Sequence, residues 1–164
     1  MPWQNGPLVV YHGTDNLSAT AIRRSGIDRS KFRPKTDFGS GFYVTTVLHQ
    51  AEQWANQRTR RTASAHNAEV LEYTLARDEL ASLDHLAFVV DSRDYYDLIA
   101  FCRAGNPSHG RQAAYDVVYG PVSLWPQQLA IANCDQILFS DPTRISGFTR
   151  PSRSQSPPNH SKFF

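Results

Sequence analysis

An α+β fold is what the sequence predicts, on three observations. Short β-rich runs recur along the chain, stretches with helical apolar spacing are interspersed among them, and no internal repeat organises them. At 164 residues the chain fits one compact domain, long enough to bury a core without help from a metal or a disulfide.

Taken in order, Leu8 to Tyr11 is an apolar run that leads into His12-Gly13-Thr14, the pattern of a buried strand ending in a polar turn. Asp15 or Asn16 can cap the helix that follows, with Leu17, Ala21 and Ile22 on one face and Gly26 as its stop. Arg29 to Thr36 is polar, contains Pro34 and has no periodicity, so it reads as a loop. Phe38 to Thr45 reads as a short strand, and Leu48 to Gln57 as a helix with Leu48, Ala51 and Ala55 on one side. Glu69 to Leu75 alternates as a strand does, Leu86 to Val90 is β-rich, and Tyr95, Leu98, Ile99 and Cys102 give Tyr95 to Arg103 a helical spacing. After a turn-rich break from Asn106 to Arg111, Tyr115 to Tyr119 and Gln136 to Phe139 read as strands around a connector, Pro121 to Ala132. The folded domain is expected over 1–149. From Arg150 onward, Pro-Ser-Arg-Ser-Gln-Ser-Pro-Pro has the composition of a disordered basic tail, 150–164.

Bulk composition narrows the function classes. Hydrophobic residues make up 40% and charged residues 20%, with no run of about twenty apolar residues to cross a bilayer, so no membrane partner is expected. The start, Met-Pro-Trp-Gln-Asn-Gly, lacks the basic and apolar regions of a secretory signal, which favours a cytoplasmic location with delivery by a specialised machine left open. Cys102 and Cys134 are expected as free, buried thiols. A net charge of +2 is too small to imply a polyanion partner. The Arg58, Arg60 and Arg61 cluster reads as a solvated helix end, with nucleic-acid contact as the sharper alternative.

Three segments place polar or aromatic groups at strand ends, where loops hold sites on a rigid frame. The first is Tyr11-His12-Gly13-Thr14, in which His12 is either structural or functional and Gly13 permits close backbone approach to a ligand. The second runs from Asp37 through Gly39-Ser40-Gly41-Phe42-Tyr43-Val44-Thr45-Thr46 into a helix bearing Gln50, Ala51 and Trp54. Tyr43 and Trp54 could clasp a planar heterocycle, or they could be core aromatics. The third is Cys134-Asp135-Gln136-Ile137-Leu138-Phe139, where alternation puts Cys134, Gln136 and Leu138 on one face. Gln136 could reach a ligand's hydroxyls, or be an ordinary strand-entry residue. No Rossmann, Walker or nucleophile-elbow motif is present, and the six histidines show no metal-ligand spacing, so no metal is expected.

In this order the segments resemble the His-Tyr-Glu class of ADP-ribosyltransferases, which contains diphtheria toxin and the poly-ADP-ribose polymerases. Within that class the chain is similar to the small bacterial family of unknown function DUF3990, over roughly Leu8 to Asp141. The blocks that carry the resemblance are Tyr-His-Gly-Thr at 11–14, Asp-Phe-Gly-Ser-Gly-Phe-Tyr-Val-Thr-Thr at 37–46, Gln-Ala-Glu-Gln-Trp-Ala at 50–55, Tyr-Asp-Val-Val-Tyr-Gly-Pro-Val at 115–122 and Asp-Gln-Ile-Leu-Phe at 135–139. The resemblance implies an ADP-ribosyltransferase-like split β-sandwich of two small sheets with flanking helices, holding NAD⁺ in a cleft. It assigns catalysis to His12, Tyr43 and Gln136: His12 on a ribose hydroxyl, Tyr43 against the nicotinamide ring. The Gly13 backbone would hold the carboxamide and Trp54 the ring's other face, with Thr14, Phe42 and Thr45 completing the NAD⁺-binding set.

Gln136 stands where the class has a glutamate. An amide keeps the hydrogen bonds of a carboxylate without its net charge, a loss of roughly 2–4 kcal/mol of transition-state stabilisation. Glu69, Glu72 and Asp135 are candidate substitutes, and Gln136→Glu is expected to raise turnover. Cys134, two positions earlier, gives no support to an arginine acceptor. The expected partners are NAD⁺, a macromolecular acceptor (protein or nucleic acid) and, for a toxin acting in its own or a target cell, a neutralising antitoxin or immunity protein. NAD⁺ hydrolysis and non-catalytic nucleotide or nucleic-acid binding are the other expectations.

Overall fold

The computed structural model describes residues 6–61 and 66–158. Its elements in chain order are β1 (Leu8–Asp15), α1 (Asn16–Ser25), β2 (Phe42–Val44), α2 (Leu48–Arg61), β3 (Ala68–Leu75), α3 (Arg77–Ala81), β4 (His85–Ala87), α4 (Arg93–Arg103), β5 (Val117–Ser123), β6 (Ala130–Phe139) and β7 (Arg153–Gln155). The strands form a three-stranded sheet, β1-β3-β7, and a four-stranded sheet, β2-β6-β5-β4. Two small sheets with a few helices are the α+β class that the sequence predicts. The chain divides into two compact units. One comprises the described residues up to Ile27, those within Val44–Leu80 and those from Ile145 onward; the other is Asp28–Tyr43 with Ala81–Arg144.

In the first unit, β1 and β3 pair antiparallel from Leu8↔Leu75 to Asp15↔Ala68, so the expected turn at His12-Gly13-Thr14 is strand to its end. Asp15 then caps α1, accepting from the Ser18 N–H at 2.8 Å, and the Gly26 N–H closes the helix on the Ile22 carbonyl. The buried position of α1 is Ala19, whereas Leu17 is 57% exposed and Ala21 is exposed, which corrects the predicted face. Ala51 and Ala55 of α2 pack with Val70 of β3, as their spacing predicts. A second correction concerns the tail. Residues 153–155 form β7 on the free edge of β3, with Val70↔Gln155, Leu71↔Ser154 and Glu72↔Arg153 in register. Unpaired backbone groups along a sheet edge recruit a strand whatever its composition, and composition was the sole basis for expecting disorder there. Residues 159–164 of the expected tail lie outside the described residues.

The second unit packs around Phe38, Tyr95, Ile99, Val118 and Leu138, all fully buried. Much of the predicted connector from Pro121 to Ala132 is ladder: β5 continues to Ser123, β6 starts at Ala130, and the Leu124 N–H reaches the Leu129 carbonyl across the turn. Pro121 is tolerated because it sits beside a bulge, where the register jumps from Pro121↔Asp135 to Val122↔Ile131 and leaves residues 132–134 unopposed. Cys134 thus has no partner on β5, whereas Asp135 and Gln136 keep theirs. The strand predicted over Phe38 to Thr45 contracts to β2, because Thr36 to Gly39 folds into a buried turn with Gly39 at φ 82°. Among the described residues, no helix is long and apolar enough to cross a membrane.

Candidate functional site

Five of the expected site residues lie in the first unit. His12 is half-buried on β1, opposite Leu71. Gly13 packs on α2, where a Cβ would stand 2.1 Å from the Ala51 carbonyl oxygen, so its close approach here is to a helix backbone. Thr14 and Thr45 are buried. Thr45 joins β1 through two backbone bonds with Tyr11, of 2.8 and 2.9 Å, and its hydroxyl accepts from the Val47 N–H at 3.0 Å just before α2. Trp54 is half-buried on α2. Burial disfavours ionisation of Asp15, but hydrogen bonds from the Ser18 N–H and the Arg58 guanidinium prevail and hold its carboxyl down at about 2. Arg58, whose Nε lies 2.8 Å from Asp15, is thus a tie between α2 and the end of β1, while Arg60 and Arg61 are exposed. Glu69, considered above as a substitute carboxylate, is bound by Arg23 and by the Ser154 hydroxyl.

The other unit carries Tyr43 on β2 and Gln136 on β6, adjacent strands of one sheet. Tyr43 is half-buried at the margin of the core. Its hydroxyl accepts from the Phe38 N–H at 2.9 Å and lies 2.8 Å from both the Thr36 hydroxyl and the Gly39 carbonyl. Burial pushes this phenol well above its ordinary value, so it stays neutral. Phe42 is buried, which gives this member of the expected NAD⁺-binding set a packing role. Gln136 is only 5% exposed. Its amide nitrogen donates to Asp37 Oδ2 at 2.7 Å and to the Pro121 carbonyl at 3.0 Å.

Sequence reasoning missed the group behind Gln136. Asp37 is 4% exposed and accepts at both oxygens. Oδ1 takes Arg103 Nε at 2.9 Å and Nη2 at 2.5 Å, while Oδ2 takes the Ser123 hydroxyl at 2.6 Å and its N–H at 3.3 Å. A buried carboxylate is stable only with such partners. The one signal in the sequence was an acidic residue opening a glycine-rich aromatic block.

Nearby, His109 Nε2 donates to the Phe38 carbonyl at 2.8 Å while Nδ1 accepts from the Tyr115 N–H at 3.0 Å, an arrangement that requires the neutral imidazole. Burial pushes Cys102 up to about 11, with the charge of Asp37 adding to it. Cys102 is free and buried as expected; Cys134 is free but only half-buried. A cavity of about 410 Å³ lies along β5 and the bulge, lined by Phe88, Val89, Val90, Asp91, Tyr119 and Cys134 among others. No group of three or more His, Cys, Asp or Glu side chains suited to a metal occurs among the described residues.

A model of the protein family of unknown function DUF3990 matches residues 8–124. The chain belongs to the DUF3990 family. The DUF3990 match takes in His12, Tyr43 and Trp54, and also Asp37, Arg103 and Ser123, and it ends before β6, so Gln136 lies outside it. No curated protein matches this DUF3990 chain.

Proposed function

We propose that the protein is a mono-ADP-ribosyltransferase that uses NAD⁺ as its substrate. What supports this is the second unit's sheet, which sets Tyr43 beside the strand of Gln136 and anchors that glutamine's amide nitrogen on a buried carboxylate. The two residues are distant in sequence, and both belong to the segments that carry the resemblance to ADP-ribosyltransferases.

In the proposed reaction, the bond between C1′ of the nicotinamide ribose and the pyridinium nitrogen breaks. Its electron pair leaves with nicotinamide, which becomes neutral, and the ribose develops oxocarbenium character. An acceptor nucleophile then bonds to C1′ and releases its proton. Tyr43, fixed by its hydroxyl, offers a flat neutral ring to the nicotinamide. Gln136 offers a hydrogen bond to a ribose hydroxyl; the like role of His12 rests on the resemblance alone. Orientation and electrostatics supply the rate. The acceptor is a macromolecule, and an antitoxin or immunity protein is the partner expected for a toxin of this kind.

Purified protein incubated with labelled NAD⁺ and lysate tests this. Nicotinamide release with label on a macromolecule is the expected result, and His12→Ala or Trp54→Ala should lower both at least about 10-fold. Tyr43→Phe keeps the ring and loses the hydroxyl bonds, so it should retain more activity than Tyr43→Ala. Free ADP-ribose without labelled macromolecule would make the protein a NAD⁺ glycohydrolase, and no nicotinamide release at all would refute both. Arg58 is engaged with Asp15, which removes one side chain from the basic cluster that oligonucleotide binding would use.

A further inference from the structure

We propose that Asp37 is a positioning residue for Gln136, and that the two act as one unit in which Asp37 fixes and polarises the amide whose carbonyl is presented to a ligand. The nature of that ligand, the ribosyl end of NAD⁺, rests on the function proposed above.

An amide nitrogen has two hydrogens, and both are spent: one on Asp37 Oδ2 at 2.7 Å, the other on the Pro121 carbonyl at 3.0 Å. Turning the amide over would set its oxygen against a carboxylate and a carbonyl, so its orientation is fixed. Gln136 Oε1 has no hydrogen bond among the described residues, although the residue is 95% buried. It is the acceptor left for a ligand. Donation to a charged acceptor in a low-dielectric setting polarises the amide and raises the negative character of its oxygen. Arg103 and Ser123 hold Asp37 in turn, through separate oxygens.

This changes the expectation for Gln136→Glu. A glutamate there would put a second carboxylate against Asp37 with only Arg103 to balance the pair, and like charges so close cannot both stay ionised. The variant must take up a proton or lose stability, so it is not a simple gain of charge. Asp37→Asn leaves Arg103 without its counter-charge. The double exchange, Asp37→Asn with Gln136→Glu, restores one carboxylate, one amide and one guanidinium.

Melting temperatures of the full chain and its three variants at pH 5.5 and pH 8, with NAD⁺ turnover alongside, test the proposal. Gln136→Glu should melt at least about 5 °C below wild type at pH 8 and recover much of that at pH 5.5. Asp37→Asn should lose about 10- to 100-fold in turnover, and the double exchange should recover both melting temperature and turnover relative to either single variant. A Gln136→Glu protein as stable as wild type at pH 8, a double variant whose losses merely add, or unaltered turnover in Asp37→Asn each overturns the proposal. Should Asp37→Asn fail to fold, Ser123→Ala removes one bond to the same oxygen, and turnover unchanged by it overturns the proposal equally. If the melting pattern appears while wild type releases no nicotinamide, the ADP-ribosyltransferase function falls and the coupling of Asp37 to Gln136 stands.

Discussion

Two ring side chains hold the turn that delivers Asp37. The Tyr43 hydroxyl binds it at the Phe38 N–H and the Gly39 carbonyl, and His109 binds it at the Phe38 carbonyl. The imidazole also accepts from the Tyr115 N–H, so protonation at Nδ1 would put two donors face to face. Burial lowers the affinity of His109 for a proton below the ordinary imidazole value of 6.5, and the charge of Arg111 adds to this. The unfolded chain therefore binds the proton more readily than the folded one. Stability from His109 is complete above its ordinary value and is lost as pH falls toward the lowered one. A melting temperature that declines from about pH 7 to pH 5 is expected, with a shallower decline in His109→Gln. Equal slopes in the two proteins would show that this residue does not govern the acid limb.

Element by element, local chemistry was readable and partnership was not. The cap at Asp15, the stop at Gly26 and the Ala51/Ala55 face of α2 were all legible because each depends on residues within a few positions. Ala19, and not Leu17, fills the buried side of α1, a choice that β1 and β3 dictate from outside the helix. Tyr43 and Gln136 could be named as site candidates. The Arg103–Asp37 pair spans 66 residues and left no pattern to read. The facing ends of β5 and β6 and the whole of β7 escaped detection for related reasons: Pro121 and Pro126 disguised the turn of the β5–β6 hairpin, and a Pro/Ser-rich composition disguised β7. Ending the chain at Thr149 checks the last of these. Loss of β7 bares the edge of β3, so the shortened protein should melt several degrees lower, at about 2–4 °C per kcal/mol, and self-associate in sedimentation experiments. A disordered appendage would leave both measurements unchanged.

Across the whole molecule, both compact units are discontinuous in sequence, and each includes residues beyond the span that the DUF3990 family model matches. A chain ending at Leu124 keeps the family match intact yet lacks β6, which neighbours both β2 and β5, and Phe148, whose ring meets Tyr73 edge-to-face at 5.0 Å. Such a chain should show no cooperative melting transition by circular dichroism; a sharp transition would mean that the matched span folds alone. The position of β6 also has a bearing on synthesis. On a ribosome, the segment bearing Tyr43 emerges long before the strand that will lie beside it, and β5 likewise appears with only β4 to pair with. The nascent polypeptide therefore stays without its Asp37–Gln136 contact until β6 has been made, and any activity that depends on that contact is withheld until then.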